Sequence, residues 1–591
     1  MAKRYKRHTA GTGDNSRFAH AVNADIRRSI FPRNHSVKTT FNASQIIPIA
    51  CEEVLPGDTV KEYRIRCLSR LHTLLTPTMD TMDIDFYAFF VPNRIILDSW
   101  EEIQGENKTG AWAPSGPEKL VPSYDTLMAS LGAPAGIYHG SIGDYYGLPL
   151  ANNGNAFNGR IISCLPFRGY TQIYNDWFRA EAHTAPLLLN TGDTLSPTDP
   201  HRPWNTPYFA TKKFDYFTSA LPAPQRGESA LVPIELNQLI PVVTSSTGVA
   251  DNRITGNAGA LRWTNTTTGL LYNPVGSGMG STLSAGLFSN PNDPANDRIT
   301  MGTSIMADNV GVSLSTPISP RNLFADGTNI NLSASTISEL RTAVQIQKLY
   351  ERDARSGGRY VSMLKAHFGV QAEDYRLQRS EFLGHTTSTI GIHQSVQTSA
   401  TQDDGTTPQG NLSAFSHNLT DGFLFTKSFV EHGYLHVVAV ARHRQTYQDG
   451  IPVHFSRRSR LDFYMPVLAN ISEQPIYTKE IKFTAAPTQI FGYKEPWAEY
   501  RFSPNVVRGN FRKYDETTNP YSLDIWHYAT SFDSVPVLSN DFITDNSYVN
   551  LSRTLAVQDS DYDQIMADIY IQSIWARPMP MYSIPGYMDH F

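Results

Sequence analysis

The spacing of its apolar stretches constrains this chain more than any other feature. Short runs recur at Gln45 to Ala50 (QIIPIA), Tyr63 to Leu68, Met82 to Val91 (MDIDFYAFFV), His436 to Ala441 (HVVAVA) and Leu461 to Leu468 (LDFYMPVL). Their alternation, β-branched and aromatic content and length read as strands. Because they lie far apart in sequence, they must pair non-locally, in a sandwich or barrel interrupted by long excursions.

Two excursions carry helical periodicity. Arg168 to Glu181 (RGYTQIYNDWFRAE) places Tyr170, Ile173, Tyr174, Trp177 and Phe178 on one stripe, which predicts a helix packed by that face. Thr336 to Arg355 opens with a capping box from Thr336 to Glu339, carries Lys348, Arg352 and Arg355 towards its end, and is stopped by Gly357 and Gly358. Residues 241–340 hold 48 Gly, Ser, Thr or Asn against ten charged residues, and no Lys occurs from 214 to 347. A linker has such a composition, but Leu261, Trp263, Leu270, Leu271, Tyr272, Leu287 and Phe288 favour an ordered, loop-rich surface protrusion.

Charge divides the chain. Residues 1–38 contain Lys3, Arg4, Lys6, Arg7, Arg17, Arg27, Arg28, Arg33 and Lys38 against Asp14 and Asp25, so this arm is +7 and the remainder −12. With few large apolar residues to offset its ordering entropy, the arm is expected to be extended or disordered without a partner. A solvated tail would share this composition; nucleic acid is the favoured partner because the arm's charge opposes that of the body. Charged residues are 18% of the chain, against about 25% typically, while it carries 29 Tyr, 29 Phe and 8 Trp. A surface poor in charge and rich in rings suits burial by partner subunits, so self-assembly is expected.

Cys51, Cys67 and Cys164 form no C-x-x-C pair and read as reduced, buried small hydrophobes. The N-terminus lacks the apolar core of a secretory signal, and the longest apolar run, Phe86 to Val91, is far below the ~18 residues of a membrane span. A soluble chain made in a cytosol, with no membrane insertion, is expected.

The search for chemistry predicts no enzyme, cofactor or metal. There is no G-x-x-x-x-G-K-[ST] loop and no H-E-x-x-H. Gly276 to Gly280 (GSGMG) follows no strand, and reads as a flexible loop. His432 and His436 (HGYLH) have helical i, i+4 spacing but lead into a strand, and Gly433 stands where a zinc protease needs Glu. Asp80, Asp83 and Asp85 stand at a strand start, where loop solvation accounts for them. Arg457, Arg458 and Arg460 (SRRSRLDFY) form a basic knot, read either as an intersubunit salt-bridge patch or as phosphate contacts.

Several segments together closely resemble the major capsid proteins of microviruses, in particular the gokushovirus branch of small single-stranded DNA phages. They are His35 to Phe41 (HSVKTTF), Glu53 to Thr59 (EVLPGDT), Leu165 to Arg179 (LPFRGYTQIYNDWFR), Asp215 to Gly227 (DYFTSALPAPQRG), Gln345 to Arg355 (QIQKLYERDAR), His367 to Val370 (HFGV), Phe491 to Arg501 (FGYKEPWAEYR) and Ala576 to Phe591 (ARPMPMYSIPGYMDHF). The resemblance runs from about residue 29 to the end and is absent from 231–335.

The resemblance implies a mainly β fold: an eight-stranded antiparallel jelly-roll with long loop and helical insertions. It implies sixty copies in a T=1 shell around circular single-stranded DNA, assembled in the host cytoplasm and resident in the virion. Small basic DNA-binding, internal scaffolding and DNA pilot proteins would be partners, with a host surface receptor. Residues 1–40 would be the basic arm, 41–591 the capsid domain, and 231–335 an inserted protrusion at the three-fold axes serving attachment. The DNA-contacting candidates are Lys3, Arg4, Lys6, Arg7, Arg17, Arg27, Arg28, Arg33, Arg457 and Arg458. Two rivals compete. A carbohydrate-active or carbohydrate-binding β-sandwich needs a carboxylate pair that the sequence does not nominate, and a sequence-specific DNA-binding monomer needs a basic body, whereas this one is −12.

Overall fold

The computed structural model describes residues 27–106, 108, 119–124, 137–150, 161–196, 199–228, 337–399, 409–557 and 562–582, and within 229–336 the backbone of several short strands. Nine strands make the principal sheet system: β1 (Ser29–Pro32), β2 (His35–Phe41), β3 (Ile46–Val54), β4 (Thr59–Leu71), β5 (Met82–Pro92), β6 (Glu381–Val396), β7 (Leu412–Ser428), β8 (Gly433–His443) and β9 (Ile565–Arg577). β1 and β2 pair with successive parts of β9, from Ser29↔Arg577 and from His35↔Ile571, and act as one interrupted edge strand.

Taking that edge as a single strand, the antiparallel order is β2-β9-β4-β7 in one sheet and β6-β5-β8-β3 in the other. The eight positions thus run 1-8-3-6 and 5-4-7-2 in chain order, the arrangement of a jelly-roll. β6 and β7 join the sheets. Their outer halves pair with each other, from Gly391↔His417 to Val396↔Leu412, and their inner halves part, β6 to β5 and β7 to β4.

Residue pattern explains which faces are covered. β4 (TVKEYRIRCLSRL) alternates, turning Val60, Tyr63, Ile65, Cys67 and Leu71 inward and Arg64, Arg66, Leu68 and Arg70 outward, the signature of a sheet with one wet face. β5 and β8 are buried on both faces, and their charged or polar residues Asp83, Asp85, His436, Arg442 and His443 are buried with the apolar ones. Between the sheets, Tyr63, Ile65, Phe86, Phe90, Val437, Ile569 and Trp575 form the main core. The outer face of the second sheet is covered by the chain's own excursions: Phe89, Val91, Val438 and Val440 pack with Leu165, Phe167, Tyr170 and Ile173 of helix α1 (Leu165–Ile173). Each such side chain fully buried contributes about 1.5–3 kcal/mol.

The predicted helix at 168–181 is observed as α1 followed by a π-helical turn, Tyr174–Phe178, ending where Arg179 becomes extended. A second helix, α2 (Ile337–Ser356), matches the predicted one at 336–355, and α3 (Tyr360–Phe368) follows it. Leu461 to Leu468 corrects a strand expectation. It forms two 3₁₀ turns, Arg460–Asp462 and Pro466–Leu468. Asp462 accepts the Arg458 and Ser459 backbone N–H groups at 2.8 and 2.7 Å, and Pro466 has no N–H to give a ladder.

Residues 228–349 form a unit of their own. Its backbone pairs are nested: Glu235–Leu236 with Leu332–Ser333, Val242–Thr244 with Leu323–Ala325, Trp263–Asn265 with Ile318–Pro320, and innermost Leu283–Phe288 with Thr300–Ile305. The glycine run Gly276 to Gly280 lies outside the described residues.

Candidate nucleic-acid interface

Lys3, Arg4, Lys6, Arg7 and Arg17 lie outside the described residues. Arg27 and Arg28 are exposed and lead into β1 at the edge of the β2-β9-β4-β7 sheet, where Arg28 Nη1 donates to Thr59 Oγ1 at 3.1 Å. Arg33 is already engaged. Its Nη1 lies 2.8 Å from Oε2 of buried Glu52, whose other oxygen accepts the Tyr63 hydroxyl at 3.1 Å, and its guanidinium sits 5.5 Å from the Trp575 ring. Burial and the adjacent carboxylate push the Tyr63 hydroxyl pKa far up, so it stays protonated as the donor to Glu52.

Arg457 and Arg458 stand elsewhere, on the connection between β8 and β9. Arg457 donates to Glu499 at 2.8 Å and to the Tyr500 hydroxyl at 2.6 Å, with its guanidinium 4.5 Å from the Tyr500 ring centre. Arg458 and Arg460 are exposed and have no intrachain ion pair among the described residues. Among the described residues the knot therefore divides into one internal brace, Arg457, and two exposed cations, Arg458 and Arg460.

Burial organises the remaining titratable groups. Asp83 and Asp85 are not solvated loop residues; both are buried in β5. Lys213 Nζ reaches Asp83 at 2.7 Å, Arg442 Nη2 reaches Asp85 at 2.9 Å, and Thr389 and Thr387 each donate at 2.7 Å. Burial alone would raise the Asp85 carboxyl, but Arg442 and Lys213 outweigh it and hold it below the usual range. The sequence could not show this, because Lys213 is 130 and Arg442 357 positions from its partner. His436 is buried in β8, where burial drives its pKa down to about 3, so it is a neutral core histidine. Cys51, Cys67 and Cys164 are free thiols, and burial pushes Cys67 up to about 12 and Cys164 to about 11.

The sequence missed the outward face of the β2-β9-β4-β7 sheet. Cross-strand register aligns Lys38, Asp568, Leu68 and Leu419 in one row, Ser36, Tyr570, Arg66 and Asp421 in the next, and Gln572, Arg64 and Phe423 in a third. The signal was present in β4, where Arg64, Arg66 and Arg70 fall on the same parity of an alternating strand.

The chain matches the Capsid protein (F protein) family over residues 19–587. It is 36% identical to the capsid protein VP1 of Chlamydia phage 1 over 607 residues, spanning 97% of each chain. It is also 36% identical to VP1 of Bdellovibrio phage phiMH2K, over 97% of this chain and 98% of that one, and 35% identical to VP1 of Spiroplasma virus 4, over 95% of each.

Proposed function

Because the chain belongs to the phage Capsid protein (F protein) family, a structural and not an enzymatic one, we propose that it builds a T=1 shell of sixty copies around circular single-stranded DNA. The jelly-roll order of the eight strand positions, together with similarity along nearly the whole chain, carries this reading. Self-assembly into a capsid and a place in the virion follow from the family itself. Heterologous contacts close into a shell only when their rotations close, so copy number is a property of interface geometry.

Three finer assignments belong to the same proposal. The basic arm of residues 1–38 faces the interior and touches phosphates without reading sequence. Residues 231–335 form an outward protrusion that meets a host surface receptor, supported by their few charges and by the self-contained pairing of 228–349. Small basic DNA-binding, scaffolding and pilot proteins complete the particle, which assembles in the host cytoplasm. Other basic proteins or cations share the neutralisation of the genome with these arms. Electron microscopy of native particles tests the whole: closed icosahedral shells of sixty subunits holding DNA and bearing three-fold projections are expected, and a stable monomer or an open filament refutes it.

A further inference from the structure

Where β6 and β7 leave the two sheets they run on as a ribbon of their own, paired from Gly391↔His417 to Val396↔Leu412. Side chains alternate across such a ribbon, so Ile392 and Ala414 turn towards the core while Gly391, His393, Ser395, Ser413, Phe415 and His417 share the other face. His393, Phe415 and His417 are exposed there, and their rings gather. The His393 ring centre lies 4.7 Å from that of His417, with 28° between the planes, and 5.4 Å from that of Phe415. Gly391 permits this approach. It stands directly across from His417, and a Cβ there would lie 3.5 Å from His393 Nε2, so the His393 ring leans back along β6 over the position that has no side chain. The two imidazoles are thereby brought side by side, and among the described residues neither has an ion-pair or hydrogen-bond partner within the chain.

We propose that His393 and His417 together chelate one divalent transition-metal ion of the zinc and copper class, which clamps β6 to β7 where the two strands leave the sheets. With metal–nitrogen bonds of about 2.0–2.1 Å each ring centre stands about 3.2 Å from the ion, so imidazoles on adjacent coordination positions have centres about 4.5–5.2 Å apart, a range that includes the observed 4.7 Å. Both rings are exposed, so turning them about χ2 to aim two nitrogens at one point costs little. Donor chemistry then selects the ion. Imidazole nitrogen suits zinc, copper and nickel, whereas calcium and magnesium need oxygen ligands, and none of the six residues on this face is a carboxylate. Among the described residues no three His, Cys, Asp or Glu side chains gather as a metal-holding group, so the chain supplies two ligands and water the rest. The two donors lie on different strands and meet only in the folded register, so a bound ion favours that register over the unfolded chain.

Calorimetric titration of the purified full chain with Zn2+, and separately with Cu2+, measures the binding. H393Q and H417Q should each weaken the tightest event by about tenfold or more, because the chelate is reduced to a single ring. Hydrogen exchange on the wild-type chain locates the ion without any substitution: Zn2+ should slow exchange in residues 391–396 and 412–417, and Ca2+ at the same concentration should not. The chain has 17 His, so binding that survives both variants, or protection that falls in other segments, puts the ion elsewhere and overturns the proposal. Equal protection of the ribbon by Ca2+, or no binding of either transition metal at 100-fold excess of ion, overturns it as well. Should H393Q or H417Q not fold, the exchange map of the wild-type chain with and without Zn2+ decides alone.

Discussion

His436 shows how burial fixes both a protonation state and the residue beside it. A hydrogen bond joins its Nδ1 to the Tyr146 hydroxyl at 2.9 Å, and Nε2 points at α1, where a Cβ on Gly169 would come within 2.6 Å. The glycine in LPFRGYTQ is therefore a packing requirement. G169A should destabilise the chain by about 1–3 kcal/mol through overpacking, read as a fall in melting temperature. Glu480 carries the opposite kind of signal. Burial, with repulsion from Glu499, raises its pKa to about 7 from an ordinary 4.5, although it accepts the Tyr477 N–H at 2.9 Å. Between those values the folded chain keeps a proton that the unfolded chain has lost, so stability falls as pH rises through this window and levels off above it. The loss is on the order of a few kcal/mol. E480Q should be the more stable protein at pH 8 and should lose most of this slope in melting curves between pH 5 and 8.

Among elements, hydropathy pattern predicted position better than state. The strand segments of β3, β4, β5 and β8 were legible because each pairs pattern with length, and both helices showed their stripe or caps. Leu461 to Leu468 has strand composition, yet it lies in a connection with no neighbouring ladder and carries Pro466, so backbone turns take its hydrogen bonds locally. The inserted unit lends itself to a test at this scale. Since Leu236 faces Leu332 across an antiparallel pair, residues 242–325 can be replaced by a short Gly/Ser link without separating the ends of the unit. Shells of wild-type size that fail to adsorb to host cells are expected; failure of the shortened chain to assemble, seen by electron microscopy, would make the segment a structural contact.

At the scale of the molecule, strand dispersal and a basic arm were visible without coordinates, since alternation, charge and turn residues are properties of neighbours in sequence. The motifs from HSVKTTF to the C-terminus likewise pointed to the capsid family before any strand was placed. Pairing was not legible. β2 lies beside β9, more than 500 residues away, and β4 lies between β9 and β7, so the apolar inner faces of the two sheets are buried by strands far apart in sequence. Tertiary structure likewise decided which charges are buried braces and which stand exposed: Arg33, Arg442 and Arg457 meet carboxylates inside the fold, and Arg66, paired with Asp421, and Arg70 are exposed on the outward face of β4. Sequence by itself determined the elements and the family, which depend on local pattern and shared motifs. Partners and exposure came only from the fold, because a side chain's electrostatic environment is set by groups brought near in space, whatever their distance along the chain.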